Sequence, residues 1–310
     1  MLHEHNLLRM TLLFADKFVK KELCMKSKKL LSLLALAVVV ACTSGNATTT
    51  NAKASPTVYD YGYAKYTVSP YSNTMAVLSY NTESGISRLN SSQYKASFYN
   101  LSTHYSPQTN ILSCGVASAV IMLNTVYATL GKQPPISKLG SFYNEQENYI
   151  DGNFTWTEAN FFNDKVNGYL DPEIIYGRKQ VDGKYVVGLT LDQLTHALNL
   201  QGLEATATHV NTASDANIEA FRTLLKATLG TTESYMVVNY NLNVMSALNG
   251  GHFSPIAAYD QASDSVLILE TWNAFAPWEW LKVYDLYKSM NTKDGDTYRG
   301  YVLVNANKAS

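Results

Sequence analysis

A single cysteine, Cys114, begins a stretch with helical periodicity in a region that contains no other cysteine. Apolar residues recur near a 3.6-residue period over 116–130, and Gly131 and the two prolines at 134–135 end the pattern. The first amides of a helix lack partners and carry partial positive charge, which favours a thiolate over a thiol. The pattern therefore predicts either a reactive cysteine at a helix N-terminus or a buried cysteine in a core helix, since cysteine is often buried.

Three other polar side chains are candidates for the same site. Gln108 lies six residues before Cys114, near enough for its amide to supply half of an oxyanion hole. His252 follows two glycines, which allow close backbone approach, so its imidazole is expected at the rim of a cleft. Glu270 lies eighteen residues later, where a short hairpin would return the chain to His252. Together they predict a Cys–His–acid triad. The alternatives are a histidine bonded to a turn and an exposed charge at the end of a strand.

Composition limits the class of protein. The 310 residues are 46% hydrophobic and 16% charged, with 24 basic and 25 acidic side chains, which is typical of one large or two small folded domains. This balance argues against a nucleic-acid partner and against disorder.

The N-terminus carries a targeting pattern. Lysines after Met25, an apolar run over 30–40 and the pair Ala41-Cys42 are typical of a secretory signal whose end resembles a bacterial lipobox. The apolar run is too short for a transmembrane helix, which needs about 20 residues. We expect residues 1–24 to be an upstream start artefact, 25–41 a signal peptide, Cys42 a lipidated residue, 42–56 a flexible tether and 57–310 the catalytic domain. The expected location is the bacterial cell envelope, on the periplasmic face, with the outer membrane favoured by Thr43 because aspartate there marks inner-membrane retention.

The remaining patterns predict an α+β fold in which helices precede an antiparallel sheet. Residues 57–100 are interpreted as irregular structure with short strands, and 140–190 as a surface excursion. Predicted helices, besides the one that follows Cys114, span 189–200, 217–229 and 278–290, and predicted strands span 235–240, 256–259, 266–269 and 300–304. Cys24 and Cys42 fall in the segment expected to be processed, so neither a disulfide nor a cysteine-rich metal cluster is expected.

Several of these motifs together resemble the phytochelatin synthase family, over roughly residues 95–305. The motifs are Gln108, Cys114-Gly115-Val116-Ala117-Ser118, Leu123-Asn124, Gly251-His252-Phe253-Ser254-Pro255-Ile256, Tyr259-Asp260, Leu267-Ile268-Leu269 and Arg299-Gly300-Tyr301. The resemblance implies a papain-like fold, in which a helical part carries the nucleophile and packs on an antiparallel sheet that carries the histidine. It also implies a thiol-dependent acyltransferase that cleaves the Cys–Gly bond of glutathione through a γ-glutamylcysteinyl thioester and passes the acyl group to glutathione or water.

The resemblance assigns a role to each candidate residue. Cys114 would be the nucleophile, His252 the base and acid and Glu270 the group that orients the imidazole. Gln108 and the Cys114 amide would form the oxyanion hole. Arg299 and Asp294 resemble positions that hold the glutamyl carboxylate and amine, and Gly251 is grouped with them as a substrate-binding position.

The sequence departs from the family in four ways. The usual acid is aspartate, so Glu270 is one methylene longer. Asn273 stands where an arginine is expected and is an alternative group to orient His252. The enlarged segment 140–190 lengthens the spacing from Cys114 to His252. Finally, the sequence ends soon after Val304, so the cysteine-rich C-terminal domain of plant members is expected to be absent, and short bacterial members tend towards hydrolysis.

The expected partners are glutathione or another γ-glutamyl peptide and the bacterial membrane, through the lipid, with no nucleic acid. No built-in cofactor or metal is expected, and a heavy-metal ion, cadmium or zinc, would enter as its glutathione complex. Two other functions remain open: a lipid-anchored cysteine peptidase or amidase with a different substrate, and a non-catalytic protein that binds metal–thiolate complexes.

Overall fold

A seven-stranded antiparallel sheet organises the chain. The computed structural model describes residues 77–132, 155–246, 248–273 and 276–307, and the backbone of four short strands at 57–60, 65–68, 142–143 and 149–150. The predicted signal peptide, Cys42 and the tether at 42–56 lie outside these residues. Within the described parts of the chain, no helix combines the length and apolarity needed to cross a membrane.

The helices of the described residues are α1 (Glu83–Ser91), α2 (Ala96–Thr103), α3 (Cys114–Thr129), α4 (Glu158–Phe161), α5 (Asp164–Asn167), α6 (Pro172–Ile175), α7 (Leu191–Leu200), α8 (Asp215–Leu229) and α9 (Val283–Met290). The strands are β1 (Thr57–Asp60), β2 (Lys65–Val68), β3 (Leu78–Ser79), β4 (Phe142–Tyr143), β5 (Tyr149–Ile150), β6 (Glu204–His209), β7 (Ser234–Asn241), β8 (Gly251–Asp260), β9 (Ser265–Ile268), β10 (Glu279–Lys282), β11 (Lys293–Asp294), β12 (Thr297–Tyr298) and β13 (Gly300–Asn305).

The sheet has the strand order β3-β10-β9-β8-β7-β13-β6, and every neighbouring pair is antiparallel. Strand β7 is apolar along most of its length because both of its faces are covered. Tyr235 and Val237 join one hydrophobic cluster, which contains the buried residues of α3 and α7. Met236 and Val238 join a second cluster, with α8 and α9. The α+β prediction therefore holds, although helices cover both faces of the sheet.

Helix α3 agrees with its prediction. It starts at Cys114, ends at Thr129, and is followed by Gly131 with a φ of +62°, which glycine adopts without strain. Thirteen of its residues are buried because it packs between the sheet and the neighbouring helices. Gly115 lets the first turn approach closely, since a Cβ there would lie 3.1 Å from the Leu189 side chain and 3.3 Å from that of Phe253.

Three predictions about local structure were wrong in part. Residues 57–100 contain α1 and the first part of α2 as well as short strands. Thr82 caps α1, and Leu89 and Leu101 anchor the two helices in the core. The predicted helix 278–290 is strand β10 followed by α9, since residues 279–282 pair with β9.

The segment 140–190 is not a simple surface excursion. In its described part, α4, α5 and α6 each bury an apolar side chain in the core. Those side chains are Phe161, Val166 and Ile175. Residues 155–190 are therefore a packed part of the domain, and Glu158 reaches the turn before α3.

Candidate active site

Cys114 lies at the first position of α3, on the wall of a cavity of about 230 Å³. The side chain is 8% exposed and forms no disulfide. Ser113 occupies the N-cap without a capping side-chain hydrogen bond, so its hydroxyl does not satisfy the first amides of the helix. These amides and the helix dipole favour negative charge on the sulfur.

His252 is the second residue of β8 and lines the same cavity. The sequence predicted an imidazole at the rim of a cleft, whereas the side chain is 3% exposed. Tyr240 on β7 is its direct cross-strand partner, and the two rings meet edge to face with centroids 5.7 Å apart.

Glu270 reaches His252 because the chain continues alongside β8 after β9 has ended at Ile268. The Leu269 amide donates to the Pro255 carbonyl at 2.9 Å, which keeps the two segments paired. His252 Nε2 then donates to Glu270 Oε1 at 2.5 Å, and the Glu270 side chain is fully buried. This leaves Nδ1 as the imidazole nitrogen available to Cys114.

The electrostatics of His252 connect all three side chains. Burial disfavours the charged imidazolium, but the Coulombic interactions and hydrogen bonds with Glu270 and Cys114 outweigh it and raise the pKa of His252 to about 10. The site therefore favours a protonated imidazole beside Glu270 and Cys114. A histidine in this place can exchange a proton with a cysteine nucleophile.

Two further groups hold the Glu270 carboxylate. The Trp272 amide donates to Oε1 at 2.8 Å, and the Tyr240 hydroxyl donates to Oε2 at 3.2 Å. Tyr105 also donates to the Glu270 carbonyl oxygen at 2.6 Å, and burial raises the pKa of its phenol to about 12. The extra methylene of glutamate is accommodated because both ends of the residue have fixed partners.

Asn273, the alternative orienter, is exposed, and Glu270 is the residue that accepts the hydrogen bond from the imidazole. Gln108 lies near the start of α3, where its backbone amide donates to the Thr271 carbonyl at 2.9 Å. Its side-chain nitrogen donates to the Asn110 carbonyl at 2.9 Å and its oxygen accepts from the Thr271 hydroxyl at 3.1 Å. The amide is thus anchored beside the segment that carries Glu270.

The three predicted substrate-binding residues are neighbours, although they differ in access to the cavity. Asp294 and Gly251 line it, while Arg299 lies behind them and is buried. A Cβ on Gly251 would stand 3.0 Å from Arg299 Nη2, so the glycine makes room for the guanidinium. Burial lowers the pKa of Arg299, and the negative charge of Asp294 opposes that shift.

Two polar atoms in this region have no hydrogen-bond partner among the described residues. They are Nε of Arg299 and Oδ1 of Asn239, and both are buried. Asn239 lines the cavity, and its Nδ2 donates to Asp294 Oδ2 at 3.1 Å. Buried polar atoms are usually paired, so these two are candidates for ligand contacts.

Sequence reasoning did not find Tyr240, Asn239 or Tyr105. The first two lie in the predicted strand 235–240, but pairing Tyr240 with His252 required the register of β7 against β8. No sequence pattern indicated Tyr105, whose partner is the Glu270 backbone. As for metals, no group of three His, Cys, Asp or Glu side chains in the described segments is arranged to hold an ion.

A thiol at a helix start that shares a cavity with a histidine bonded to a buried carboxylate is the arrangement of enzymes that use a cysteine nucleophile. Comparison with protein families matches residues 70–301 to the family described as phytochelatin synthase. The match covers most of the chain, and the chain belongs to the phytochelatin synthase family.

Curated relatives carry the corresponding names at low identity. Glutathione gamma-glutamylcysteinyltransferase 3 of Lotus japonicus is 24% identical over 209 residues, which cover 67% of this chain and 37% of the relative. Glutathione gamma-glutamylcysteinyltransferase 1 of Arabidopsis thaliana is 22% identical over 209 residues, covering 67% of this chain and 36% of the relative. The Schizosaccharomyces pombe glutathione gamma-glutamylcysteinyltransferase is 26% identical over 119 residues, covering 38% of this chain and 28% of the relative. The matched part of the chain thus spans between 28% and 37% of the length of these relatives.

Glu270→Gln should weaken the ion pair between Cys114 and His252. The lost negative charge lowers the pKa of His252, and a less protonated imidazole stabilises the thiolate less. The measurement is the ratio of the iodoacetamide alkylation rate at about pH 6 to the rate at about pH 9. We expect this ratio to be about tenfold lower in the variant than in the native protein, the change that corresponds to one pKa unit. Glu233→Gln, an exposed acid before β7, serves as the control, and equal pH profiles for all three proteins would contradict the prediction.

Proposed function

We propose that this protein is a thiol-dependent acyltransferase that cleaves the Cys–Gly bond of glutathione and transfers the γ-glutamylcysteinyl group to glutathione or to water. The observation that carries the proposal is that Cys114 and His252 line one cavity and that His252 is hydrogen-bonded to the buried Glu270. Family membership supports the choice of glutathione, because the curated relatives are named for γ-glutamylcysteinyl transfer.

The first half-reaction forms a thioester on Cys114. The thiolate attacks the carbonyl carbon of the Cys–Gly bond, the C–N bond breaks, and protonated His252 gives its proton to the departing glycine amine. In the second half-reaction an amine or water attacks the thioester, gives a proton to His252 and releases Cys114. Glu270 keeps the imidazole in one orientation throughout, because its carboxylate is itself fixed by Tyr240 and the Trp272 amide.

Gln108 and the Cys114 amide are proposed to stabilise the oxyanion. Gln108 uses one side-chain N–H for the Asn110 carbonyl, and an amide nitrogen carries a second hydrogen. The Cys114 amide is among the first helix amides, which have no partner within the helix. Two such donors suit the negative oxygen that develops when a carbonyl is attacked.

The polar end of the cavity suits the amino-acid head of a γ-glutamyl group. Asp294 supplies a carboxylate and Asn239 an unpaired carbonyl oxygen, and both accept hydrogen bonds from an ammonium. Arg299 supplies positive charge behind them, with Nε unpaired in the described structure. A free amino acid carries one cation and one anion, so this set of groups matches its charge pattern.

We also propose that the domain has a papain-like fold. A cysteine that opens a helix, packed on an antiparallel sheet whose strand carries the histidine, supports this fold. A heavy-metal ion, cadmium or zinc, is proposed to enter as a glutathione complex and thus as part of the substrate.

One observation favours a second candidate, a peptidase or amidase with a different substrate. Leu112, Val187 and Leu189 give the cavity an apolar wall beside its polar end. Such a wall suits an apolar side chain as well as the stem of glutathione. The two candidates share the same nucleophile and differ in recognition.

Incubation of the purified protein with glutathione should release glycine, accompanied by phytochelatin or γ-glutamylcysteine. We expect Cys114→Ser to lower the rate by at least about a thousandfold, because the hydroxyl is a far weaker nucleophile beside the same histidine. Mass spectrometry of the products, with and without added cadmium or zinc, gives both the rate and the partition between transfer and hydrolysis. Full turnover by Cys114→Ser would exclude Cys114 as the nucleophile, and a native protein without any turnover would favour the non-catalytic, thiolate-binding alternative.

Asp294→Asn should separate the two candidate functions. If Asp294 holds the γ-glutamyl ammonium, the variant raises the KM for glutathione by about tenfold or more and leaves N-acetylated glutathione unaffected, because that substrate has no cation to bind. Lys293→Ala, next to it and exposed, is the control. Identical kinetics of the native protein with glutathione and its N-acetylated form would favour the peptidase or amidase.

We further propose that Cys42 anchors the protein to the bacterial cell envelope through lipid, on the periplasmic face. The basic, apolar and small residues that precede Cys42 in sequence support this location. We expect radiolabelled palmitate to be incorporated into the native chain and lost in Cys42→Ala, which should also leave the membrane fraction. A labelled Cys42→Ala protein, or a native chain without label, would contradict the anchor.

A further inference from the structure

The segment from Gln108 to Ser113 sets the distance between the two groups proposed to form the oxyanion hole. It is an irregular turn that makes several bonds to itself: the Leu112 amide donates to Asn110 Oδ1 at 2.9 Å, and the Ser113 hydroxyl lies 2.8 Å from the Asn110 carbonyl. Thr271 anchors Gln108 at one end of the segment, but the local bonds do not fix the rest of the turn against the protein. A second external contact is needed between Thr109 and Ser113.

Glu158 provides that contact from the first turn of α4. Its Oε2 accepts from the Thr109 hydroxyl at 2.7 Å, and its Oε1 accepts from the Thr109 amide at 2.8 Å. Oε1 also lies 3.2 Å from the Ser113 hydroxyl. One carboxylate therefore binds the turn both just after Gln108 and just before Cys114. Hydrogen bonds to a carboxylate are stronger than those between neutral groups.

The chain just before Glu158 is attached to α3 through Trp156. Asn124 on that helix accepts from the Trp156 amide at 2.8 Å and donates to the Trp156 carbonyl at 2.9 Å. The Trp156 ring is buried and packs edge to face on Tyr127. Because Glu158 is tied to the helix that begins at Cys114, its carboxylate is fixed relative to the sulfur. Tyr176, at the end of α6, adds a hydroxyl 3.4 Å from Oε2.

We propose that Glu158 is a positioning residue that holds Gln108 and the Cys114 amide in the geometry of the oxyanion hole. This inference rests on the proposed thiol mechanism. It assigns a role to one residue of the segment 140–190, for which the sequence predicted a surface excursion. The carboxylate contacts Thr109 and Ser113 rather than substrate, so its effect passes through the turn.

The test compares Glu158→Ala with a control variant, Asp164→Ala. Asp164 is an exposed acid on α5, six residues after Glu158. Acylation and alkylation are measured on each protein, because acylation develops an oxyanion whereas alkylation by iodoacetamide needs only the thiolate. We expect Glu158→Ala to slow acylation by about 10- to 100-fold, as for a displaced catalytic group, with the pH profile of alkylation unchanged. Asp164→Ala should match the native protein in both.

Thr109→Val removes only the hydroxyl contact with Glu158 and is a milder second variant. We expect it to slow acylation by a few-fold, which corresponds to about 1 kcal/mol for one lost hydrogen bond. Glutathione is the first acyl donor and p-nitrophenyl acetate the second, because any acyl donor forms an oxyanion at Cys114. A native protein that reacts with the ester but not with glutathione would reject the proposed substrate and leave the role of Glu158 testable. Unchanged acylation in Glu158→Ala and Thr109→Val, or equal loss of acylation and alkylation, would overturn the inference.

Discussion

The buried hydrogen bond between His252 and Glu270 is the interaction on which the proposed chemistry depends. An ionisable pair with exposures of 3% and 0% is costly to bury unless both groups are fully bonded. The Tyr240 hydroxyl and the Trp272 amide donate further hydrogen bonds to the Glu270 carboxylate. Cys114 interacts with the same imidazole. The pair thereby favours a protonated imidazole beside the sulfur.

The fold brings these groups together from three directions. Helix α3 presents the sulfur at its N-terminus, β8 presents the imidazole at its start, and the residues after β9 return the carboxylate to β8. The close approach of α3 to the sheet depends on Gly115, whose hydrogen faces Leu189 and Phe253. The cavity opens where these elements meet and combines an apolar wall with the polar end near Asp294.

The sequence allowed the site to be predicted where chemistry and local pattern coincide. Cys114 was identifiable because a helix begins there, and the pairing of His252 with Glu270 followed from a hairpin with a clear turn. The residues that hold these groups, Tyr240 and Glu158, were not predictable. Their partners depend on strand register and on how a distant segment packs, and neither leaves a periodic signal in the chain.

The errors in the fold have the same origin. Residues 279–282 continue a helical pattern in sequence, yet they form β10 because the edge of β9 offers backbone partners. The one-turn helices α4, α5 and α6 are too short to show periodicity. Each buries one apolar side chain, and irregular turns separate these side chains along the sequence. Tertiary contacts decided both cases, and local propensity did not.

The most direct test of the account is the intact mass of the protein quenched within one turnover of mixing with glutathione. The account predicts an adduct equal to glutathione less glycine, located on Cys114 and removed by hydroxylamine, as a thioester would be. A chain that turns glutathione over without such an adduct, or that carries it on another residue, would contradict the central claim.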